Sequence, residues 1–433
     1  MQLKDKIIKK EITVGIIGLG YVGLPLTVRF ASAGFDVTGI DTDEGKVTKV
    51  NQGKSYIPDV REEEIRKLVS QGKLRATMDY EISRDLDVLI ICVPTPLRET
   101  KDPDISYIVE TVREIRKYLR KGHIIVLEST TYPGTTRELV LPELESSSLK
   151  VGKDFFLAFS PERVDPGNSR YNIKNTPKVV GGITPECTEI VKTLYSQVID
   201  EVIAVSSTEV AEMAKLLENI FRAINIGLAN EMAIISDKLG VDVWEVIDAA
   251  STKPFGFMPF YPGPGPGGPC IPIGPHYLSW KLRTLNYDPR FIQLAEEINS
   301  SMPSYVVEKI SQALNKFRKS IHGSRILILG VTYKKNVGDI REAPALEVIN
   351  VLLDKGAEPA YNDPYVAKLN IGGKVLRSVQ LQENLLKEMD CVVVITDHSL
   401  YDFEWIVKNA KLVVDTRNAT RNITDNTGKI IKL

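Results

Sequence analysis

The 433-residue chain balances 55 Lys and Arg against 56 Asp and Glu, a formal net charge of -1, with 43% hydrophobic and 26% charged residues. This excludes bulk electrostatic attraction to nucleic acid or anionic lipid, so any anion site must be local. It also excludes extensive disorder, and the length allows two or three domains of roughly 100 to 200 residues each.

Cys92, Cys187, Cys270 and Cys391 are widely spread, form no C-x-x-C pair and make no metal-ligand grouping with the four His, so no metal is expected and a reduced, cytoplasmic setting fits best. The charged start of the chain and the lack of an apolar run of roughly 20 residues predict neither export nor membrane insertion.

In chain order, Ile12 to Gly18 reads as a β-branched strand ending in Gly. Gly18-Leu-Gly20-Tyr-Val-Gly23 and a helical pattern over Leu24 to Ala33 follow, and then a second strand from Phe35 ending in Asp41. Strand, glycine turn, helix and terminal acid are the pattern that cradles a dinucleotide: the glycines admit a pyrophosphate at the helix start and the acid holds the ribose hydroxyls. Asp41 would repel a 2′-phosphate, so NAD rather than NADP is expected. Strands at Asp87 to Val93, His123 to Thr130, Asp154 to Ser160 and Lys178 to Gly181, with a helical pattern over Ile105 to Leu119, predict a doubly wound parallel sheet. Val93-Pro-Thr-Pro96, Glu128-Ser-Thr130 and Ser160-Pro-Glu-Arg163 fall beyond the carboxyl ends of these strands, where ligands bind in such sheets or where simple turns sit.

From Thr208 to Leu239 the pattern is one long Pro-free helix, more than about 40 Å at 1.5 Å per residue, read as a connector and dimer core. Lys215, Asn219 and Arg222 share one of its faces, as a functional constellation or as a solvated polar stripe. Next comes Phe260-Tyr-Pro-Gly-Pro-Gly-Pro-Gly-Gly-Pro-Cys270, a stretch that can neither continue a helix nor carry bulk near a ligand. A thiol placed there suits a nucleophile; a buried free Cys is the alternative. The strand Ser324 to Gly330, the helix Ala345 to Lys355 and the strand Ala357 to Asp363 then repeat the opening arrangement without its G-x-G-x-x-G turn, and strands at Asp390 to Thr396 and Lys411 to Asp415 follow. A second mononucleotide-type domain is implied, with Lys334, Lys335 and Arg341 as local positive charge for a nucleotide diphosphate. The fold class expected is α/β: two Rossmann-like doubly wound domains joined by a long central helix, with domains at 1–205, 206–305 and 306–433.

Taken together these motifs, with Ala211-Glu-Met-Ala-Lys215-Leu-Leu-Glu-Asn219, Gly267-Gly-Pro-Cys270 and Leu329-Gly-Val-Thr-Tyr-Lys-Lys-Asn-Val-Gly-Asp-Ile-Arg341-Glu, resemble the UDP-glucose/GDP-mannose dehydrogenase family across nearly the whole chain. Thr252-Lys-Pro-Phe-Gly-Phe257 and the Gly/Pro stretch look most like the branch oxidising UDP-N-acetylglucosamine, with UDP-N-acetylmannosamine the near alternative.

The resemblance implies a four-electron oxidation of the sugar C6 alcohol by two NAD in turn, through a thiohemiacetal and a thioester on Cys270, in polysaccharide biosynthesis. Lys215 and Asn219 would stabilise alkoxide and oxyanion, Glu162 would serve as base for the hydrolytic water, and Thr130 would hold nicotinamide or water. Gly18, Gly20, Tyr21, Val22, Gly23, Asp41, Lys46, Thr95, Thr130 and Arg341 match cofactor positions. Arg163, Val164, Lys215, Asn219, Arg222, Tyr261, Gly267, Tyr333 and Lys334 match UDP-sugar positions, and Lys253 matches a basic residue of the partner subunit in a homodimer. The chain departs from the family at Pro269 and Gly274, where His and Asp are usual. The missing acid removes a proton-handling group, and the alternative is a nucleotide-sugar-binding protein with weak turnover. A one-step hydroxy-acid dehydrogenase would need neither the Cys nor a third domain.

Overall fold

The computed structural model describes residues 3–57, 60–98, 100, 102–165, 167–168, 170–268, 271, 273–424 and 427–433. They form two compact units, 1–218 with 276–286, and 219–275 with 287–433.

The first unit is built on an eight-stranded sheet of order β3-β2-β1-β4-β5-β6-β7-β8. Its strands are β1 Thr13–Ile17, β2 Asp36–Ile40, β3 Leu74–Thr77, β4 Val88–Ile91, β5 Ile124–Leu127, β6 Phe156–Phe159, β7 Lys178–Gly182 and β8 Val202–Val205. The central strands are continuous apolar runs because both faces are covered. Ile16, Ile90 and Val126 pack on one face with Leu24 and Phe30 from the helix Gly23–Ser32 and Leu194 and Tyr195 from Pro185–Tyr195. Ile17, Leu89 and Ile125 face Ile108, Val112 and Ile115 of Ser106–Lys117. Burying each such side chain contributes about 1.5 to 3 kcal/mol.

One departure from an all-parallel sheet is β7, which pairs antiparallel with β6, Phe159 opposite Gly181. No helix lies between the two strands among the described residues, and a parallel return needs a crossover of a dozen or more residues, usually helical. The edge strands β3 and β8 are not expected from periodicity; β8 is half-buried only at its ends, with Ile203 and Ala204 exposed.

In the second unit β9 Arg325–Leu329, β10 Glu358–Asn362, β13 Cys391–Val394, β14 Val413–Asp415 and β15 Ile430–Lys432 form a parallel sheet of order β10-β9-β13-β14-β15. A hairpin, β11 Lys368–Ile371 and β12 Lys374–Arg377, forms a sheet of its own, joined to β10 by a bridge between Ser378 and Tyr361. Ile326, Ile328 and Val393 pack against the helices Arg290–Lys316 and Pro344–Asp354, and Leu327, Val392 and Val394 against Phe403–Asn409. The long helix runs from Thr208 to Leu239, as its pattern predicts. None of the described helices is long and apolar enough to cross a membrane.

Candidate active site

In the first unit the sheet order reverses between β1 and β4, and Gly18 ends β1 there with φ 92°. A Cβ on Gly18 would lie 2.6 Å from the Cys92 carbonyl oxygen, and one on Gly23 would lie 1.8 Å from the Gly18 oxygen, so both glycines are demanded by the turn itself. Gly20 is different: its Cβ would meet nothing within 4 Å, so the protein's own packing does not demand its smallness, which leaves room for a ligand to approach. No side chain caps the helix that starts at Gly23, with Tyr21 exposed and Val22 half-buried before it, so its first N–H groups suit a pyrophosphate. Asp41, buried at the end of β2, accepts the Leu19 N–H on Oδ2 at 2.7 Å and the Asp43 N–H on Oδ1 at 2.9 Å, while Lys46 Nζ lies 3.2 Å from Oδ2. The carboxylate is thus aimed by the backbone, and the residues present fit a dinucleotide with a free ribose diol. Beyond β4 the Thr95 carbonyl accepts the Tyr277 hydroxyl at 3.0 Å, and beyond β5 Ser129 Oγ donates to the Val93 carbonyl at 2.8 Å, with half-buried Thr130 following.

Beneath these loops lies a buried charge cluster that periodicity does not reveal. Lys178 Nζ, at the start of β7, is 3.0 Å from Glu128 Oε2, donates to the Pro161 carbonyl at 3.4 Å and is 3.6 Å from Glu162 Oε2. The Tyr195 hydroxyl donates to Glu128 Oε1, and the ammonium sits 5.1 Å over the Tyr195 ring. Burial alone would lower the Lys178 pKa, but the carboxylates of Glu128 and Glu162 outweigh it and hold the ammonium charged. Glu162 Oε1 accepts the N–H groups of Arg163 at 2.8 Å and Val164 at 2.6 Å. The Arg163 guanidinium is engaged by Glu218 at 2.7 Å and the Pro177 carbonyl at 2.7 Å.

On the long helix, Lys215 is half-buried, Asn219 buried and Arg222 exposed, so the face they share is not a uniformly solvated stripe. One turn before Lys215, wholly buried Glu212 takes the Gly134 N–H on Oε2 at 2.6 Å, and the Thr136 N–H at 2.9 Å and hydroxyl at 2.7 Å on Oε1. It thereby fastens the turn after Thr130 to the helix. A carboxylate inside Val210-Ala211-Glu212-Met213-Ala214 was the available sequence signal.

In the second unit the Gly/Pro stretch is closely packed at Gly263, Gly267 and Gly268. Asn230 Oδ1 accepts the Gly263 N–H at 2.9 Å while its amide donates to Asn299 at 2.9 Å. A Cβ on Gly267 would lie 2.6 Å from the Glu342 oxygen and one on Gly268, where φ is 85°, 2.8 Å from the Tyr333 ring. The Gly268 N–H donates to the Arg341 carbonyl at 3.0 Å. Arg341 itself forks onto Asp339, with Nη2 to Oδ2 at 2.6 Å, and half-buried Lys334 lies beside Tyr333. Tyr261 stacks on Trp244 with ring centroids 5.8 Å apart and donates to Asp248 at 2.8 Å. Arg417, which sequence reasoning missed, donates from Nε to the Ile395 carbonyl at 2.9 Å, and its Nη1 would lie 2.5 Å from a Cβ on Gly263. Cys270 and Pro269 lie outside the described residues. Of the other thiols, Cys92, Cys187 and Cys391 are all buried, and burial pushes those of Cys92 and Cys391 up in pKa. Gly274 is the second residue of the helix Ile273–Arg283, and a Cβ there would lie 3.0 Å from Asn219 Nδ2.

A dinucleotide turn with its terminal acid, followed by a second mononucleotide-type sheet, defines an α/β enzyme with two nucleotide-binding folds. Three family models of the UDP-glucose/GDP-mannose dehydrogenases match in chain order: the NAD binding domain over 12–199, the central domain over 209–301 and the UDP binding domain over 327–422. The chain belongs to this family and is an NAD-dependent nucleotide-sugar dehydrogenase. It is 38% identical over 360 residues to the UDP-N-acetyl-D-glucosamine 6-dehydrogenase of Pseudomonas aeruginosa, covering 83% of this chain and 84% of that protein. It is 33% identical over 412 residues to the UDP-N-acetyl-D-mannosamine dehydrogenase of Pyrococcus horikoshii, covering 94% and 95%. A solved structure of the UDP-D-ManNAc dehydrogenase from Pyrococcus horikoshii superposes with TM-score 0.88 at 32% identity, covering 97% of this chain and 98% of that one.

Proposed function

We propose that the chain oxidises C6 of UDP-N-acetylglucosamine to the carboxylate through a thioester on Cys270. The observation that carries this reading is the packing of the Gly/Pro stretch on Tyr333 and the Arg341 carbonyl. The segment leading to the thiol is thereby held against a segment of the domain that matches the UDP binding model. Tyr333 and Lys334 would contact the nucleotide, and Arg163, Val164, Arg222, Tyr261 and Gly267 the sugar.

NAD, when bound, supplies the hydride acceptor for each of the two oxidations. In the first, the C6 hydroxyl gives its proton to a water molecule while Lys215 and Asn219 donate hydrogen bonds to the developing alkoxide. The Cys270 thiolate then adds to the aldehyde carbon, and the same donors face the thiohemiacetal oxygen. After the second oxidation Glu162 takes a proton from water, the new C–O bond forms, and the C–S bond breaks to return the thiolate. Gly18, Gly20, Tyr21, Val22, Gly23, Asp41, Lys46, Thr95, Thr130 and Arg341 would serve the cofactor.

The mannosamine epimer is the second reading, favoured by the more complete coverage of the Pyrococcus horikoshii relative. NADH yield with UDP-glucose, UDP-N-acetylglucosamine, UDP-N-acetylmannosamine and UDP-N-acetylgalactosamine separates these. Two NADH per UDP-N-acetylglucosamine, abolished in Cys270→Ser with folding intact, is the expected result; unaltered two-NADH turnover by that variant would end the covalent scheme.

A homodimer through the long helix is part of the proposal. Val210, Leu217, Phe221, Leu228, Ile235 and Leu239 are all exposed on it at spacings of seven and four, an apolar stripe suited to a second copy. Sedimentation as a clean monomer at micromolar concentration would refute this. The division at 1–205, 206–305 and 306–433, and a reducing cytoplasmic setting that keeps Cys270 a free thiol, complete the reading.

A further inference from the structure

Buried ammonium groups are retained only when paired, and Lys178 is paired twice over. Its side chain is 5% exposed and that of Glu128 0%, whereas Glu162, at 16%, is the member of the group that reaches outward. The three lie at the carboxyl ends of β5 and β6 and the start of β7, so the cluster ties the loops after two central strands to a third. Within it the order runs from the Tyr195 hydroxyl to Glu128, from Glu128 to Lys178, and from Lys178 to Glu162.

The two oxygens of Glu162 are treated differently. Oε1 is consumed by two backbone N–H groups, at 2.8 Å from Arg163 and 2.6 Å from Val164. Oε2 faces the Lys178 ammonium at 3.6 Å, beyond hydrogen-bond length but within reach of its charge. Lys178 is in turn held back by its shorter contacts to Glu128 and the Pro161 carbonyl, 3.0 and 3.4 Å. An oxygen oriented by charge without being consumed keeps a lone pair for a proton.

We propose that Lys178, locked by Glu128 and Tyr195, is a positioning residue that holds Glu162 with Oε2 free to take the proton of the hydrolytic water. This rests on the reading of Glu162 as the base for thioester hydrolysis. In that step water oxygen bonds to the acyl carbon, its proton passes to Glu162, and the C–S electron pair returns to Cys270. Hydride removal does not use Glu162, so loss of Lys178 acts on the last step selectively.

The test is stopped-flow NADH formation and rapid-quench mass spectrometry with UDP-N-acetylglucosamine and NAD, on wild type, Lys178→Met, Lys178→Arg and Glu162→Gln. Where Lys178→Met folds poorly, Lys178→Met with Glu128→Gln removes the charge mismatch it leaves. The expected result for Lys178→Met is a burst of two NADH per site at a rate within about threefold of wild type. Steady-state turnover should fall by about 10²-fold with an acyl adduct on Cys270 that decays more slowly than that of wild type by the same factor, and Lys178→Arg should recover it to within about tenfold. Burst and steady state falling in equal proportion, together with thermal stability and NAD affinity, would overturn the proposal as a purely structural role. Adduct decay slowed in Glu162→Gln but at the wild-type rate in Lys178→Met would overturn it while leaving Glu162 as base. Adduct decay at the wild-type rate in Glu162→Gln would remove the base assignment and the proposal with it.

Discussion

Glu212 gives a prediction whose sign the structure settles. Its carboxyl is wholly buried, and burial pushes its pKa from 4.5 up to about 7, with hydrogen bonds from Thr136 and Gly134 opposing the rise and Glu209 adding to it. An acid whose folded pKa lies above its unfolded value binds more protons when folded, so its contribution to stability is full below pH 4.5 and is lost as pH rises through 7. The shift of 7 minus 4.5, at about 1.4 kcal/mol per pH unit, corresponds to about 3 kcal/mol of wild-type stability lost over that window. Glu212→Gln removes the titration while keeping the shape. The stability difference between variant and wild type should therefore move by about 3 kcal/mol in favour of Gln between pH 4.5 and 8. Trp280, whose ring centroid is 5.0 Å from that of Tyr132 beside the fastened turn, reports on this region once Trp244 and Trp405 are replaced by Phe. Urea titrations followed by its fluorescence across pH 4.5 to 8 give the difference. A difference that stays flat, or moves toward wild type, would refute the reasoning: the three donors on Glu212 would then outweigh its burial, and the group would be ionised throughout.

Asp41→Asn weakens the acceptor pair aimed by Leu19 and Asp43, beside the Lys46 ammonium at 3.2 Å. The preference for NAD over NADP in kcat/KM should fall at least about tenfold, in line with the 1.5 to 3 kcal/mol of a hydrogen bond to a charged group. An unchanged ratio would show that Asp41 does not read the ribose. Gly268→Ala places a Cβ 2.8 Å from the Tyr333 ring at a φ of 85°. Calorimetry should show UDP binding weakened about tenfold, from about 1 to 2 kcal/mol of backbone strain, with NAD binding unchanged; equal affinity for UDP would separate Tyr333 from nucleotide recognition. Gly274→Asp restores the carboxylate usual in the family, 3.0 Å from Asn219 Nδ2 at its Cβ, a donor that must yield slightly but can then pair with the new acid. Wild type should accumulate an acyl-enzyme on Cys270, and the variant should hydrolyse it at least about tenfold faster; no adduct in wild type and no gain in the variant would show that another group already does this work.

Local pattern made much of this molecule legible. The turn Gly18 to Gly23 and the acid at Asp41 were readable because strand, turn and helix are consecutive and each has its own period. The long helix was readable over Thr208–Leu239 because no Pro interrupts it. The direction of β7 was not, since it depends on there being no helix among the described residues between β6 and β7, which irregular, polar sequence does not announce. Lys178 and Glu128 are 50 residues apart, and their pairing is a property of strand order alone. Likewise Glu212 and Gly134 meet across 78 residues. The partners that orient a carboxylate are long-range by nature, while the carboxylate itself can be picked out locally.

The same scaffold occurs twice, and the difference between its copies is instructive. Gly18 and Gly330 each end a first strand with positive φ, 92° and 76°, and a Cβ on either would strike the backbone oxygen beyond the neighbouring strand, Cys92 at 2.6 Å and Thr396 at 2.4 Å. The next N–H, of Leu19 or Val331, donates to the Asp that ends the second strand, Asp41 or Asp363, at 2.7 Å in both. Asp41 has beside it the Lys46 ammonium, whose side chain is 34% exposed and can move aside for a ribose. Asp363 instead meets wholly buried His398, with Nε2 to Oδ2 at 3.0 Å. The Asn336 N–H donates to His398 Nδ1 at 3.0 Å, which places the ring proton on Nε2 and directs it to Asp363. The imidazole thus occupies in the second sheet the place that the first leaves to a ligand, and it braces the segment carrying Tyr333 and Lys334 from behind. In the first sheet the acid faces a lysine that can move aside for a ligand; in the second it is internally satisfied, which leaves the loops above the strands as the place where a nucleotide would be held.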